Sequence, residues 1–203
     1  MSIKENTPEN LILIQGFEDL LSSGVRSFTV ENLAACLCMS KKTIYKFFAT
    51  KEILIDKIVA FRLSQIEERI QEIMATQDNP VHQFLGVMEF LFHTTSKLKI
   101  ERIQDLKTRY PKIWKRVENF RLERRKDFYE ILSSAQSRGY VRQELDVELI
   151  ATIYTNIINS TFQPEFFLNN SLTPKDVLPA YVDLVSGGLL SAKGQKFYAK
   201  IEE

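Results

Sequence analysis

Cysteine is nearly absent: only Cys36 and Cys38 occur, one residue apart. Side chains at i and i+2 of a helix do not face each other, so a disulfide between them is disfavoured. A metal site would need at least two further ligands, and the neighbouring sequence offers none. The pair is expected to be small, buried or half-buried residues in a reducing compartment, with a redox switch as the alternative. Glycine and proline are also scarce, at 7 and 6 of 203 residues, which excludes collagen-like, linker-like and low-complexity chains. No window approaches the roughly 18 apolar residues of a membrane-spanning helix. The opening Met-Ser-Ile-Lys-Glu-Asn is too polar for a signal or transit peptide. The expectation is a cytoplasmic protein with no membrane partner.

Catalytic signatures are missing too. The chain has no Gly-rich phosphate loop, no H-E-x-x-H and no nucleophile elbow. His82, Glu89 and His93 share one helical face, but a rise of about 1.5 Å per residue puts the two histidines roughly 16 Å apart. One metal cannot take both. No enzyme, catalytic residue, metal or cofactor is expected.

What is present is apolar material with a helical period: 44% of residues are hydrophobic, enough for a sizeable core. Leu11, Ile14, Phe17, Leu20 and Leu21 form one face of a helix that ends at Ser22-Ser23-Gly24. Thr29 offers an N-cap for a short helix through Leu33, Ala34 and Cys36, and Ser40 caps the next, Lys41 to Phe48. Thr50 starts a long helix to about Ala75, with Ile53, Leu54, Ile58, Phe61, Ile66, Ile70 and Ile73 as its apolar stripe. Further start signals stand at Asn79-Pro80, Pro111, Asp146 and Thr173-Pro174-Lys175-Asp176. A short helix is expected over 100–108, and one long helix over 111–137. About nine helices and no strand alternation make the chain all-α.

The formal net charge is +1, but it is unevenly spread. Residues 1–60 sum to zero, 61–96 to −3, 97–126 to +8 and 127–203 to −4. Within the neutral first block, residues 40–51 hold Lys41, Lys42, Lys46 and Lys51 and no acid. Such a local excess of cations suits phosphates. The +8 stretch, with Arg121, Arg124 and Arg125 close together on a helix, is read as a solvated face balanced by acids of neighbouring helices.

Three short helices with a tight turn at Leu37-Cys38-Met39 are the geometry of a helix-turn-helix. Ile44, Phe47 and Phe48, at i, i+3 and i+4, are expected to face inward. Lys41, Lys42, Thr43, Tyr45 and Lys46 are then left outside, where short polar groups reach base edges and lysines or a phenol hold phosphates.

Residues 11–54 resemble the DNA-binding domain of TetR/AcrR-family transcriptional regulators. The resemblance is carried by Thr29, Val30, Leu33, Ala34, Ser40, Thr43, Ile44, Tyr45, Phe47, Phe48, Lys51, Glu52 and Leu54 in register, with Gly24 and Phe28 before them. It implies an N-terminal three-helix DNA-binding domain, residues 1–54, and a C-terminal helical domain, residues 55–203, for ligand binding and dimerisation. By that resemblance Tyr45 and Lys51 match positions that contact backbone phosphate, Thr29 matches the cap before the turn, and Ser40, Lys41, Lys42, Thr43 and Lys46 lie on the recognition segment. Two departures stand out: Cys38 replaces the usual turn glycine and Leu37 the usual alanine. A cysteine at positive φ costs on the order of 1 kcal/mol.

The implied function is a ligand-responsive repressor that acts as a homodimer on near-palindromic double-stranded operator DNA. The last two long helices, around 147–163 and 175–190, match the family's dimer interface, with Ile153, Ile157, Tyr181, Leu184 and Val185 as contacts. An unknown small-molecule effector would lie among aromatic and apolar residues, with Phe84, Met88, Phe92, Tyr110, Trp114, Phe128, Tyr154 and Phe162 as lining. A helical adaptor that keeps the fold but binds protein partners is the alternative, favoured by the zero charge of residues 1–60.

Overall fold

The computed structural model describes residues 7–202. Twelve α-helices are present among them: α1 (Pro8–Ser27), α2 (Val30–Cys36), α3 (Lys41–Phe47), α4 (Lys51–Thr76), α5 (Pro80–Thr95), α6 (Ile100–Arg109), α7 (Pro111–Glu123), α8 (Arg125–Ser137), α9 (Val147–Thr161), α10 (Pro164–Asn170), α11 (Pro174–Leu189) and α12 (Ala192–Glu202). A lone antiparallel bridge joins Val141 to Leu190. The class is all-α, as expected, with three helices more than the nine read from periodicity. The long 111–137 segment is two helices, because at Arg124 the backbone N–H turns to Arg121 O at 3.2 Å, a bond to i−3. The other two additions, α10 and α12, are a seven-residue helix and a polar C-terminal one.

The caps do what the sequence suggests. Thr29 Oγ1 accepts from Asn32 N at 3.1 Å, and Asn79 Oδ1 from Val81 N at 2.9 Å. Asp146 Oδ1 accepts from Glu148 N and Leu149 N, while Thr173 and Asp176 form a capping box. Gly24, at φ 76°, interrupts α1 three residues before its end, where only glycine is free of a Cβ penalty.

The chain packs as two units. The first comprises residues up to Glu67 together with Leu98–Val117, so it is larger than residues 1–54 and discontinuous. Its core joins Ile12, Phe28, Leu33, Ile44, Phe48, Leu54, Ile55, Ile58 and Ile113. Phe28 and Phe48 are fully buried, each worth about 1.5–3 kcal/mol of apolar transfer. On α4 Leu54, Ile58, Ile70 and Ile73 are buried as expected, while Ile53 is exposed and Ile55 is buried in its stead. Helix α6 clamps α1, with the Arg102 guanidinium donating to Leu21 O and Arg26 paired to Asp105 at 2.8 Å.

The second unit holds Glu68–Lys97 and Glu118–Glu203. Its core collects Phe84, Ile131, Leu132, Ala151, Tyr181, Val185 and Leu189. Helix α12 docks on the loop after α8: Ser191 N donates to Tyr140 O at 2.8 Å and Ser191 Oγ to Gly139 O at 2.6 Å. Gly194 permits that approach, since a Cβ there would lie 2.2 Å from Tyr140 O.

Most cations of the basic 97–126 stretch are exposed, and acids of neighbouring helices balance some of them, as expected; Arg121 and Arg124 depart from this. Arg116 pairs with Asp56 on α4 within the first unit, and Arg125 with Glu148 in the second. Arg124, half-stacked on Phe120, bridges to the buried Asp127 at 3.1 Å. Arg121 is largely buried, donates to Phe162 O at 2.5 Å, and is pushed down to about 10 by burial, partly offset by Glu118. Arg121 and Arg124 are thus internal cations, while Arg116, Arg125 and most lysines of the stretch stay exposed.

Candidate nucleic-acid interface

Helices α2 and α3 are joined by Leu37-Cys38-Met39-Ser40. Met39 N donates to Ala34 O at 2.9 Å and Cys38 N to Ala35 O at 3.1 Å, which closes the turn. Cys38 adopts φ 52°, the left-handed region, so the turn keeps its glycine-type backbone with a cysteine in place. Both cysteines are exposed, not buried or half-buried, because Cys36 ends α2 on its outer side and the turn carries Cys38 outward.

Ser40 caps α3, its Oγ accepting from Thr43 N at 3.0 Å and lying 2.9 Å from Thr43 Oγ1. Ile44 is the inward residue of α3, with Phe48 just beyond its end. Phe47 does not face in: it is 43% exposed. On a seven-residue helix the direction of burial is set by Ile44, and Phe47 at i+3 lies beside that direction; Phe48 turns inward because it leaves the helix in an extended conformation.

Lys41, Lys42, Tyr45 and Lys46 are exposed on α3, with Thr43 half-buried. Lys42, at the second position of α3, and Lys46, near its end, have no ion-pair partner among the described residues. Lys41 Nζ instead lies 2.8 Å from Glu31 Oε1 on α2. The hydrogen bond from Lys41, helped by Glu31's own backbone, holds that carboxyl below the usual carboxylate range, and the carboxylate raises the Lys41 ammonium in turn. Lys51, at the start of α4, donates to Phe28 O and sits 5.7 Å over the Phe28 ring. Thr29 spends its hydroxyl on the α2 cap. The eight sequence-derived positions thus all fall in the first unit, with different tasks: Thr29 and Ser40 fix helix ends, Lys51 ties α4 to the loop before α2, and Lys42, Tyr45 and Lys46 present free polar groups outward. A short helix carrying such groups, fixed at both ends by caps and core, can enter a major groove.

In the second unit, Phe84 and Phe128 have ring centroids 6.0 Å apart, Phe128 and Tyr154 6.1 Å, and Tyr154 and Tyr181 5.6 Å. Met88 packs on the same core. Phe92 is half-buried on α5, and Phe162 packs on Phe167 at 5.5 Å. Tyr110 and Trp114 belong to the first unit, where Tyr110 packs against the core of α1–α4 and Lys107 lies over the Trp114 ring. Of the helix residues assigned to a dimer contact, Ile153, Ile157 and Leu184 are exposed, while Tyr181 and Val185 are buried in the chain's own core. Tyr181 donates its hydroxyl to Tyr154 O at 3.1 Å, and burial pushes its phenol far above the usual range. Leu149, one turn before Ile153, extends the exposed stripe and is visible in the sequence by its i, i+4, i+8 spacing with Ile153 and Ile157. His93 pairs with Glu89 at 3.8 Å, whereas His82 rests 5.3 Å from the Phe197 ring.

No family model matches the chain. It is 24% identical over 179 residues to the HTH-type transcriptional regulator YvaF of Bacillus subtilis, an uncharacterised protein, spanning 88% of this chain and 93% of that one. It is also 24% identical over 172 residues to the HTH-type transcriptional repressor KstR2 of Mycobacterium tuberculosis, covering 82% and 84% of the two chains. Among solved structures, a Rhodococcus sp. protein described as a TetR-family transcriptional regulator superposes with a TM-score of 0.60 at 14% identity, over 88% of this chain and 98% of that one.

Proposed function

We infer that this TetR-like transcriptional regulator represses transcription by binding operator DNA as a homodimer, and that a small molecule in the second unit lowers its operator affinity. The observation that carries the reading is the outer face of α3, where Lys42, Tyr45 and Lys46 stand free beside a Ser40-capped start and a closed turn. Lys42 and Thr43 are assigned to base edges, and Tyr45 and Lys46 to phosphates. Lys51 supports this role by anchoring α4, and Lys41 is taken up below.

Dimerisation is required by the operator geometry, since two recognition helices about one DNA turn apart read the two half-sites. The exposed stripe Leu149, Ile153 and Ile157 on α9, with Leu184 on α11, supports a second copy as its cover. Large apolar side chains left in water at regular helical spacing gain by meeting their symmetry mates. The effector site is assigned to the aromatic run Phe84, Phe128 and Tyr154 with Met88, which suits an apolar molecule. The effector acts only if it binds the DNA-bound and released conformations with different affinity.

The test is a titration of the full chain against labelled DNA from its own upstream region, beside a scrambled duplex, at several salt concentrations. Tight, salt-sensitive binding to the native fragment alone is expected, with Lys46→Ala weakening it and lowering the salt slope by about 0.9 per protomer. Absence of binding to either duplex at low salt would refute the reading and favour a protein-binding adaptor.

A further inference from the structure

Four lysines crowd residues 40–51, and the structure gives them unequal freedom. Lys51 is committed to the Phe28 carbonyl, and Lys41 to Glu31. Glu31 is the one acid between residues 30 and 47, so the whole α2–turn–α3 segment carries a single negative charge, on the cation nearest the start of α3. That cation stands at the first residue of the helix, where the positive end of the helix dipole opposes it. A negative group is therefore favoured beside Lys41, and Glu31 supplies one 2.8 Å away. Both side chains are more than half exposed, so the pair is open to exchange with ions and with DNA.

We propose that Glu31 occupies Lys41 in the place of a DNA phosphate and thereby weakens sequence-independent DNA binding. The proposal rests on the DNA-binding reading above. Binding without sequence preference comes almost wholly from cations that displace counterions from phosphates. A lysine already held by a carboxylate releases fewer, and the carboxylate itself opposes the approach of the duplex. Each protomer thus contributes one phosphate contact fewer than it would with Lys41 free, and a dimer two fewer. A negative element of this kind lowers the phosphate contribution at every site, so a larger share of the binding comes from base-edge contacts elsewhere on α3. Lys42 and Lys46, unpaired among the described residues, remain available at every site.

The experiment measures the binding of wild-type, Glu31→Gln, Lys41→Gln and doubly substituted full-length protein to a labelled duplex of arbitrary sequence, across several salt concentrations. Glu31→Gln is expected to tighten binding roughly tenfold at low salt and to steepen the salt dependence by about 1.8 per dimer. In the Lys41→Gln background the same change should gain about twofold or less. Equal binding by wild type and Glu31→Gln would overturn the proposal. So would an equal gain in both backgrounds, which would mean that Glu31 repels DNA without holding Lys41. If none of the four proteins binds at low salt, the DNA-binding reading falls with it. Both positions lie in solvent, and unchanged far-UV circular dichroism checks that each variant keeps its fold.

Discussion

Replacing Cys38 by glycine should stabilise the first unit. At φ 52° the cysteine Cβ crowds the following carbonyl, which costs an L-residue about 1–2 kcal/mol. Glycine removes that cost but gives back about 0.4–1 kcal/mol through the greater freedom of the unfolded chain. The thiol is exposed, so little packing is lost. The net gain is about 0.7 kcal/mol. Cys38→Ala is the control, because alanine keeps the Cβ and its strain while removing the sulfur. Trp114, the chain's single tryptophan, is buried within this unit, so its fluorescence follows unfolding of the same body. With a urea dependence of about 1.5–2 kcal/mol per molar, the Cys38→Gly midpoint should rise by about 0.4 M, and the Cys38→Ala midpoint by much less. Equal midpoints for the two variants would refute the strain account and show that the turn relaxes without cost.

Three further outcomes are expected. Gly194→Ala forces a Cβ against the Tyr140 carbonyl and should lower Tm by about 3–8 °C, whereas Gly187→Ala, with open space around it, should raise Tm by about 2–3 °C; thermal melts of the two variants check the opposite signs. Leu184→Asp should shift the protein from dimer to monomer in sedimentation at unchanged helicity, since that side chain is 65% exposed and packs on nothing the protomer needs. The Tyr181 phenol, raised by burial and then by Tyr154, stays protonated when folded, while an unfolded tyrosine ionises near about 10. Its contribution to stability is therefore complete below that pH and is lost as pH rises above it. Alkaline absorbance titration should find one tyrosine that ionises only on unfolding.

Much of the first unit was legible because it depends on local chemistry. Thr29 and Ser40 cap as their types dictate, Gly24 breaks α1, and Cys38 holds the positive φ of the position it occupies. Burial was less legible, because it depends on which neighbours arrive from elsewhere in the chain. Phe47 and Ile53 have the right residue type for a core and are exposed, while Phe48 and Ile55, one and two positions further on, are buried. The second unit was read most loosely. Tyr181 and Val185 lie on the same helix as Leu184, and periodicity alone does not say which side of α11 meets α5 and which meets solvent. Tyr110 and Trp114 were grouped with other aromatics, yet α6 and the first part of α7 pack with the N-terminal helices. Helix α12 escaped notice because its docking relies on Ser191, Gly194 and the single ring of Phe197 against Tyr140 and His82 rather than on an apolar stripe.

That return of α6 and α7 to the N-terminal helices has a consequence in time. During synthesis α1, α2, α3 and the first half of α4 leave the ribosome before the segment that completes their core. Val117 follows Glu67 by 50 residues, which at about 5–20 residues per second is a wait of about 2.5–10 s. Through that interval Ile55 and Ile58 lack Ile113, and the α1 kink at Gly24 lacks Arg102. The lysine-bearing α2–turn–α3 segment is thus made before the residues that complete its unit, so a chain stalled before Leu98 would lack both Ile113 in that core and Arg102 beside Gly24.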